Sequence, residues 1–347
     1  MLASMKKDQP FILLLLFFFC VSSMKGQNKS TFQVIWWNVE NLFDCTHDSL
    51  KNDYDFLPKS TRHWTNYRFI KKCNQIAQTL VAIGKWNVPA VIGLCEVEND
   101  NVLSYLTQRS TLNALHYKYI MTHSQDLRGI DVALLYQRDQ FKLLNYEVIH
   151  SPRGDGNPTR DILHASGLIL SLDTLDLFLC HLPSRIGGKT SLLKTNRIAN
   201  LLKQKVDSVI GKREHPHLII MGDFNDPIAS EALTQIMQIK DPQTHHPLKN
   251  ELYHLFYHKA KQYGYGSYKY KGIWQMLDHI LVSGLLITPQ NTLYTGTDEA
   301  DVARLSFLLK EDVQFGGKKP FRTYNGMRYE GGVSDHLPLY ANFQLIW

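Results

Sequence analysis

Cysteine is scarce in this chain: five residues in 347, with no Cys-x-x-Cys pair and no cysteine–histidine spacing of the zinc-binding kind. A disulfide-dense scaffold and a structural zinc module are excluded on that ground. Glycine (21) and proline (13) are too few for a collagen-like or low-complexity chain, and 44% hydrophobic residues are too many for a disordered one. Neither sign of charge dominates. Lysine and arginine (38) exceed aspartate and glutamate (32) by six, which permits an anionic partner without identifying one. No repeat, charge block or Ser/Gly/Pro-rich linker divides the sequence. Its one long unbroken apolar run is Phe11 to Val21.

That run has eleven residues, whereas a bilayer-spanning helix needs about 20. It suits a signal-peptide core, with Lys6 and Lys7 before it and Ser22, Ser23 and Gly26 after it. Residues 1–26 are expected to be a cleaved signal peptide, an uncleaved anchor being the alternative. The protein is then exported, periplasmic or secreted, with no stable membrane insertion after cleavage. Cleavage removes three lysines and one aspartate, so the net charge falls from +6 to +4. Of the four cysteines left, Cys73, Cys95 and Cys180 lie on apolar stripes or strand ends and read as buried free thiols.

Apolar runs predict strands at Phe32–Trp37, Ala90–Cys95, Val132–Tyr136, Gly167–Leu172, Leu177–Cys180, Leu218–Met221, His279–Val282 and Leu337–Phe343. Helical spacing recurs in Phe69, Cys73, Ile76 and Leu80, up to a terminating Gly84. Ser191–Ile210 carries Ile198, Leu202, Val206 and Val209 on one side and lysines opposite, and Ser230–Glu231 reads as the capped start of a short third helix. Strands apolar on both faces need cover on both. Residues 27–347 are therefore expected to form a single α/β domain.

The chemistry lies where these strands begin and end. Asn38 and Glu40, Glu96, His181, and Asp223 with Asn225 each follow a strand; Asp278-His279 and Asp335-His336 each lead into one. Antiparallel pairing would bring the two sets to one sheet edge. Carboxylates, an amide and imidazoles without thiolates suit a hard divalent cation such as Mg²⁺, with Mn²⁺ or Ca²⁺ as alternatives. An acid or Asp–His pair can activate water, while histidine and asparagine stabilise charge on a phosphoryl group.

The ordered series Asn38, Glu96, His181, Gly222-Asp223-x-Asn225, Asp278 and Ser334-Asp335-His336 resembles the endonuclease/exonuclease/phosphatase superfamily from about residue 32 to the C-terminus. GDFND and SDHLP carry the likeness most specifically, and NVENLFD, CEVEN, RGIDVALLY and HLPSRIGG resemble a bacterial exported branch. The resemblance implies an α/β fold, a four-layer α/β/β/α sandwich of two packed mixed sheets flanked by helices. It implies Glu96 as principal metal ligand, with Asn38 and Asp335 close to the metal or its waters. Asp223 would orient and deprotonate the attacking water, and Asn225 would hold the scissile phosphate. His336, paired with Asp335, would contact a phosphate oxygen or assist proton transfer. His181 would bind phosphate or protonate the leaving group, with Asp278 a further acid near it. Where several abasic-site nucleases have a tyrosine, this chain has Asp126-Leu127-Arg128-Gly129-Ile130-Asp131. Arg128 would replace that phosphate contact and Asp131 would orient it, which argues against abasic-site repair.

Three basic, aromatic loops adjoin these motifs: Ser184–Lys189 with Arg185, Tyr263–Trp274, and Phe315–Gly332 with Arg322 and Tyr324. Arginine binds phosphate bidentately and aromatic faces stack on bases, so Arg128, Arg185, Arg322 and Tyr324 are the expected substrate contacts. The expected activity is a metal-dependent phosphodiesterase, a monomeric nuclease acting on nucleic acid. A phosphatase or sphingomyelinase-type hydrolase of the same superfamily is the alternative, and a non-enzymatic binding module ranks third.

Overall fold

The apolar run Phe32–Trp37 lies within the longest strand, β1 (Lys29–Leu42), in the computed structural model, which describes residues 28–152, 158–185, 188–243 and 246–347. The expected signal peptide lies outside the described residues. β1 runs parallel to β2 (Val91–Val97), and helix α1 (Asn66–Gly84) makes the crossover. Phe69, Cys73, Ile76 and Leu80 are buried along α1, as their spacing requires. β4 (Asp131–Tyr136) lies antiparallel to β2, and β3 (Lys118–Met121) lies outside β4. On the other side of β1 the C-terminal strand Leu339–Ile346 pairs antiparallel.

The second sheet repeats this plan. β7 (Thr174–His181) and β8 (His217–Asp223) are its parallel pair, joined across α3 (Gly188–Lys212). β6 (Ile162–Leu168) and β5 (Lys142–Ile149) extend it on one side, and strand Asp278–Ser283 and β9 (Leu252–His254) on the other, all antiparallel. The two mixed sheets stack face to face. A Cβ on Gly93 of β2 would lie 2.7 Å from the Trp36 ring and 3.0 Å from Leu179 and Met221 of the second sheet, so glycine there makes room for Trp36 between the layers. α1, with α2 (Asp100–Gln108), covers the outside of the first sheet. α3 buries Ile198, Leu202, Val206 and Ile210 on the outside of the second. Each such side chain contributes about 1.5–3 kcal/mol, so the stripe rather than helix propensity holds α3 down. The result is a four-layer α/β/β/α sandwich.

Four local readings change. The strand expected at Gly167–Leu172 lies at Ile162–Leu168 instead, because Ile169–Leu172 forms the turn into β7, with Leu172 at φ 67° and exposed. β5 escaped notice because it is an edge strand with Leu144 and Tyr146 facing solvent. α2 is short, but its start is marked: the Asn99 side chain accepts the Val102 N–H at 3.0 Å, a cap worth about 1 kcal/mol. The turn after Ser230 is a single wide one, Ala232–Ile236. Cys45, Cys73, Cys95 and Cys180 are all free, the last three buried. Among the described residues no helix is long and apolar enough to cross a membrane.

Candidate active site

Bulges at the ends of β1 and β2 aim the first sheet's polar residues. Pairing slips between Asn38 and Leu42 and again between Cys95 and Val97, and Glu40, Asn41 and Glu96 take φ of 50°, 54° and 62°. Asn225, just past β8, has φ 51°. Left-handed backbone costs roughly 1 kcal/mol or more per non-glycine residue, and here it turns side chains toward one cleft. Alternation along β1 sends Trp36 and Trp37 to opposite faces. Each buried indole N–H finds a partner at the site: Trp36 donates to Asp278 Oδ1 (2.9 Å), Trp37 to the His336 carbonyl (2.8 Å).

The second sheet supplies a closed, buried group. His181 and Asp223 are register partners at the ends of the parallel pair, with His181 Nε2 3.6 Å from Asp223 Oδ2. Asp278, opposite Asp223 on the next strand, binds His336 Nδ1 at 2.7 Å and accepts the Ser267 hydroxyl at 2.5 Å. Burial and the adjacent Asp278 push Asp223 up to about 7, against the pull of His336 and the Asn38 amide. Burial opposes charge on His336, but Asp278 and Asp223 outweigh it and hold the imidazolium well above the usual histidine range. Burial likewise opposes charge on Asp278, which His336 and the surrounding donors turn into a net lowering. Burial, with Arg160, Arg128 and His336, keeps His181 far below its ordinary value and therefore neutral. The partner of His336 is thus Asp278 rather than the expected Asp335. Asp335 instead accepts from Arg322 Nη2 at 2.7 Å.

The first sheet supplies an open group. Glu96 accepts the Asn41 N–H at 2.8 Å on Oε2, while Oε1 meets the Asn38 amide at 3.4 Å and His181 Nε2 at 4.0 Å. Arg128 donates to the Asn41 side chain (2.7 Å) and stands 3.7 Å from Glu96. Asp131 does not orient Arg128 as expected. Its carboxylate is taken by the Thr122 hydroxyl (2.6 Å) and the Ser124 N–H (2.9 Å). Beneath, the buried Glu40 accepts the Thr323 N–H at 2.8 Å and lies 3.7 Å from Arg322, while Lys72 donates to the Glu40 carbonyl and the Thr323 hydroxyl. Burial, helped by Asp335, pushes Glu40 up to about 7; burial brings Lys72 down to about 8. This pair fixes the segment that presents Arg322.

A cleft of about 720 Å³ joins the two groups. It brings together the expected catalytic, metal-binding and substrate residues except Asp278, which lies beneath its floor behind His336; Asp131 and His279, the latter bonded to His254 and the Asp226 carbonyl, also lie outside it. Asn225 binds Asp223 through its N–H (2.8 Å) and the Leu182 carbonyl through its side chain (2.9 Å). Arg185 pairs with Asp226 at the rim. Tyr324 lines the cleft with its ring and turns its hydroxyl away, to the Arg62 carbonyl at 2.9 Å. Arg62, Arg160, Tyr268 and Tyr270 also line it. Arg62 carries no motif around it, so its place follows from the fold alone, whereas Arg160 is marked in the sequence by its setting between Pro158 and an apolar run.

Carboxylate oxygens at the cleft wall are the donor chemistry that a divalent cation takes. Asp223, Asp278 and His336 have ligand atoms within 4.8 Å of one another, but a protonated imidazole bonded to one acid already neutralises that trio. Glu96 instead offers an oxygen with long contacts, and Asp335 a second hard donor. Asn38 commits its amide oxygen to the Glu40 N–H (2.9 Å) and turns its NH₂ to Glu96 and Asp223, so it orients both acids.

Residues 33–344 match the endonuclease/exonuclease/phosphatase family. Similar solved structures include an endonuclease/exonuclease/phosphatase family protein from Bacteroides thetaiotaomicron (14% identity, TM-score 0.57, 92% of this chain and 99% of that one). A mannosyl-6-phosphatase from the same organism reaches 15% and 0.57 over 90% and 99%. D. rerio TDP2 complexed with single strand DNA product reaches 18% and 0.53 over 90% and 99%. No curated protein sequence matches the chain.

Proposed function

We propose that this chain is an exported, divalent-cation-dependent nuclease, and the premise is its family: it belongs to the endonuclease/exonuclease/phosphatase family, whose members hydrolyse phosphoester bonds. The observation that carries the finer reading is the placement of arginine on both sides of the acids. Arg128 stands against Asn41 and Glu96, and Arg322 against Asp335, with Arg62, Arg160 and Arg185 also lining the cleft. One phosphomonoester needs no such spread, whereas a strand carries phosphates to either side of the scissile one.

A bound cation, held by Glu96 and Asp335, would neutralise charge on the phosphate. Asp223 takes the proton of the attacking water, for which a pKa of about 7 suits it. The Asn38 amide and the Asn225 N–H keep its carboxylate oriented. The His336 imidazolium, fixed by Asp278, lies 3.9 Å from Asp223 and donates to a phosphate oxygen. Neutral His181 approaches Asp223 and Glu96 from the other strand. The test is cleavage of plasmid and oligonucleotides with Mg²⁺, Mn²⁺ or EDTA. Cleavage that EDTA stops supports the reading; undiminished cleavage in Asp223→Ala and His336→Ala overturns the site.

A second reading, a sugar-phosphate phosphatase, is favoured by the likeness to the mannosyl-6-phosphatase. Phosphate release from sugar monophosphates without any nuclease activity would establish it instead. Export rests on residues 1–26, and N-terminal sequencing of the protein from a periplasmic or culture fraction checks it. Its absence from both fractions would sink export, and a protein there that retains its first residue would sink cleavage.

A further inference from the structure

The Tyr263–Trp274 loop contains a hairpin of two strands, Tyr268–Tyr270 and Ile273–Gln275. Alternation places Tyr268 and Tyr270 on one face and Lys269 on the other. Both tyrosines line the catalytic cleft. Tyr268 lies against His336, ring centroids 4.9 Å apart and planes 37° from parallel, and its backbone bridges that of His336. Tyr270 stands one step farther out with 52% of its surface exposed, the Lys271 ammonium 5.4 Å from its ring.

The opposite face anchors the hairpin that carries this ring. Lys269 reaches Asp312 Oδ2 at 3.0 Å and the Gly316 carbonyl at 2.9 Å, and Lys319 meets Asp312 Oδ1 at 3.3 Å. Lys269 and Asp312 are 4% and 3% exposed. A buried pair of this kind is costly to desolvate and of little net value to stability, yet it fastens the hairpin to its neighbour. The turn is fastened too: Gly272 has φ 84°, and a Cβ there would come within 2.9 Å of Phe315. Tyr263, fully exposed and outside the cleft lining, shows what an unrecruited tyrosine of the same loop looks like.

A phosphate at Asp223 and His336 would lie beside Tyr268, with Tyr270 next outward on the same wall. We infer that Tyr270 is a stacking subsite for an unpaired base next to the scissile phosphate, which makes single-stranded nucleic acid the substrate class; this rests on the nuclease reading above. Bases in a duplex are already stacked on both faces, so only an unpaired base can turn a face to the ring. Every base has such a face, and the subsite is therefore tolerant of sequence.

The experiment compares an oligonucleotide bearing all its bases with the same strand carrying one abasic spacer, placed in turn on either side of the cut. Wild type is expected to cleave the complete strand roughly tenfold more efficiently in kcat/KM than the spacer strand on one side, the scale of stacking one base on an aromatic ring. Tyr270→Ala should bring that ratio near one, while Tyr270→Phe keeps it. A fully paired duplex should be cleaved more slowly than the single strand. An unchanged ratio in Tyr270→Ala, or equal cleavage of duplex and single strand, overturns the subsite and leaves the nuclease reading standing. No cleavage of either strand by wild type overturns both.

Discussion

Two halves of this molecule share a plan and use it differently. In each, a parallel strand pair with a helical crossover ends at the cleft, an acid closes the second strand, and another acid opens the antiparallel strand beside it. The pairs are Glu96 with Asp131 in the first sheet and Asp223 with Asp278 in the second. Asp131 is consumed by its own loop, through Thr122 and Ser124. Asp278 faces across the sandwich, to Trp36, Ser267 and His336. Glu96 stands at the cleft wall with 12% of its side chain exposed, and Asp223 lies beneath with 1%. Topology fixes where an acid stands; what crosses from the other sheet decides whether it holds a loop, a cation or a proton.

The largest expected effect removes the buried half's proton acceptor. Asp223→Asn should lower kcat by roughly 10²–10⁴ and at the same time raise Tm. Burial lifts the pKa of Asp223 from 3.8 to about 7, so its ionisation destabilises the fold as pH rises from 3.8 to 7, and the whole penalty is present above 7. Thermal melts at pH 8 that show no gain would break this account.

Next comes the direct contrast of the two strand-opening acids. Asp278→Asn, which takes the charge from His336, should lower kcat by about 100-fold. Asp131→Asn keeps an oxygen for the same two donors and should leave activity within about threefold, while Asp131→Ala costs about 1–3 kcal/mol of stability. Equal losses of activity in Asp278→Asn and Asp131→Asn would erase the distinction between the halves.

The pH profile sharpens it further. Asp223 must be ionised to accept a proton, so kcat/KM should rise with pH and level off at about 7 or lower, since a bound cation pulls the acid down. The His336–Asp278 pair stabilises in a different window. The His336 contribution is complete below about 6.5 and lost as pH climbs through its raised folded pKa; that of Asp278 is complete above 3.8 and lost as pH falls through its lowered one. Wild type minus His336→Gln in Tm should be greatest between these limits.

The smallest effect belongs to the open rim. Arg128→Ala and Arg322→Ala should each raise KM for an oligonucleotide by about tenfold or less, with the loss growing as salt is lowered. A salt-independent change would assign these side chains to packing.

Much of this was legible in the chain. The acids and histidines announce themselves because each abuts an apolar strand, and their order along the chain is the order of the strands. The partnerships are not legible. Asp278 meets Trp36 across 242 positions and Glu40 meets Thr323 across 283, and no spacing rule reaches that far. Hence His336 looked tied to its chain neighbour Asp335, when burial selects the acid that the opposite sheet delivers. Lys72 illustrates the same limit. On a helix it reads as a solvated lysine, yet it is 1% exposed and bound beneath the active-site bulge.

The solitary cysteines have a practical corollary. Cys73, Cys95 and Cys180 are buried, with thiols pushed far up by desolvation, and half-exposed Cys45 is pushed up to about 11. The thiolate is the reactive species, so maleimide chemistry at neutral pH should find little purchase on the native protein. In protein produced without residues 1–26, and so without Cys20, a cysteine introduced at the exposed Tyr263 would then take a fluorophore or spin label alone. That would give a reporter beside the hairpin without first stripping the natural thiols, and production would not depend on an oxidising compartment.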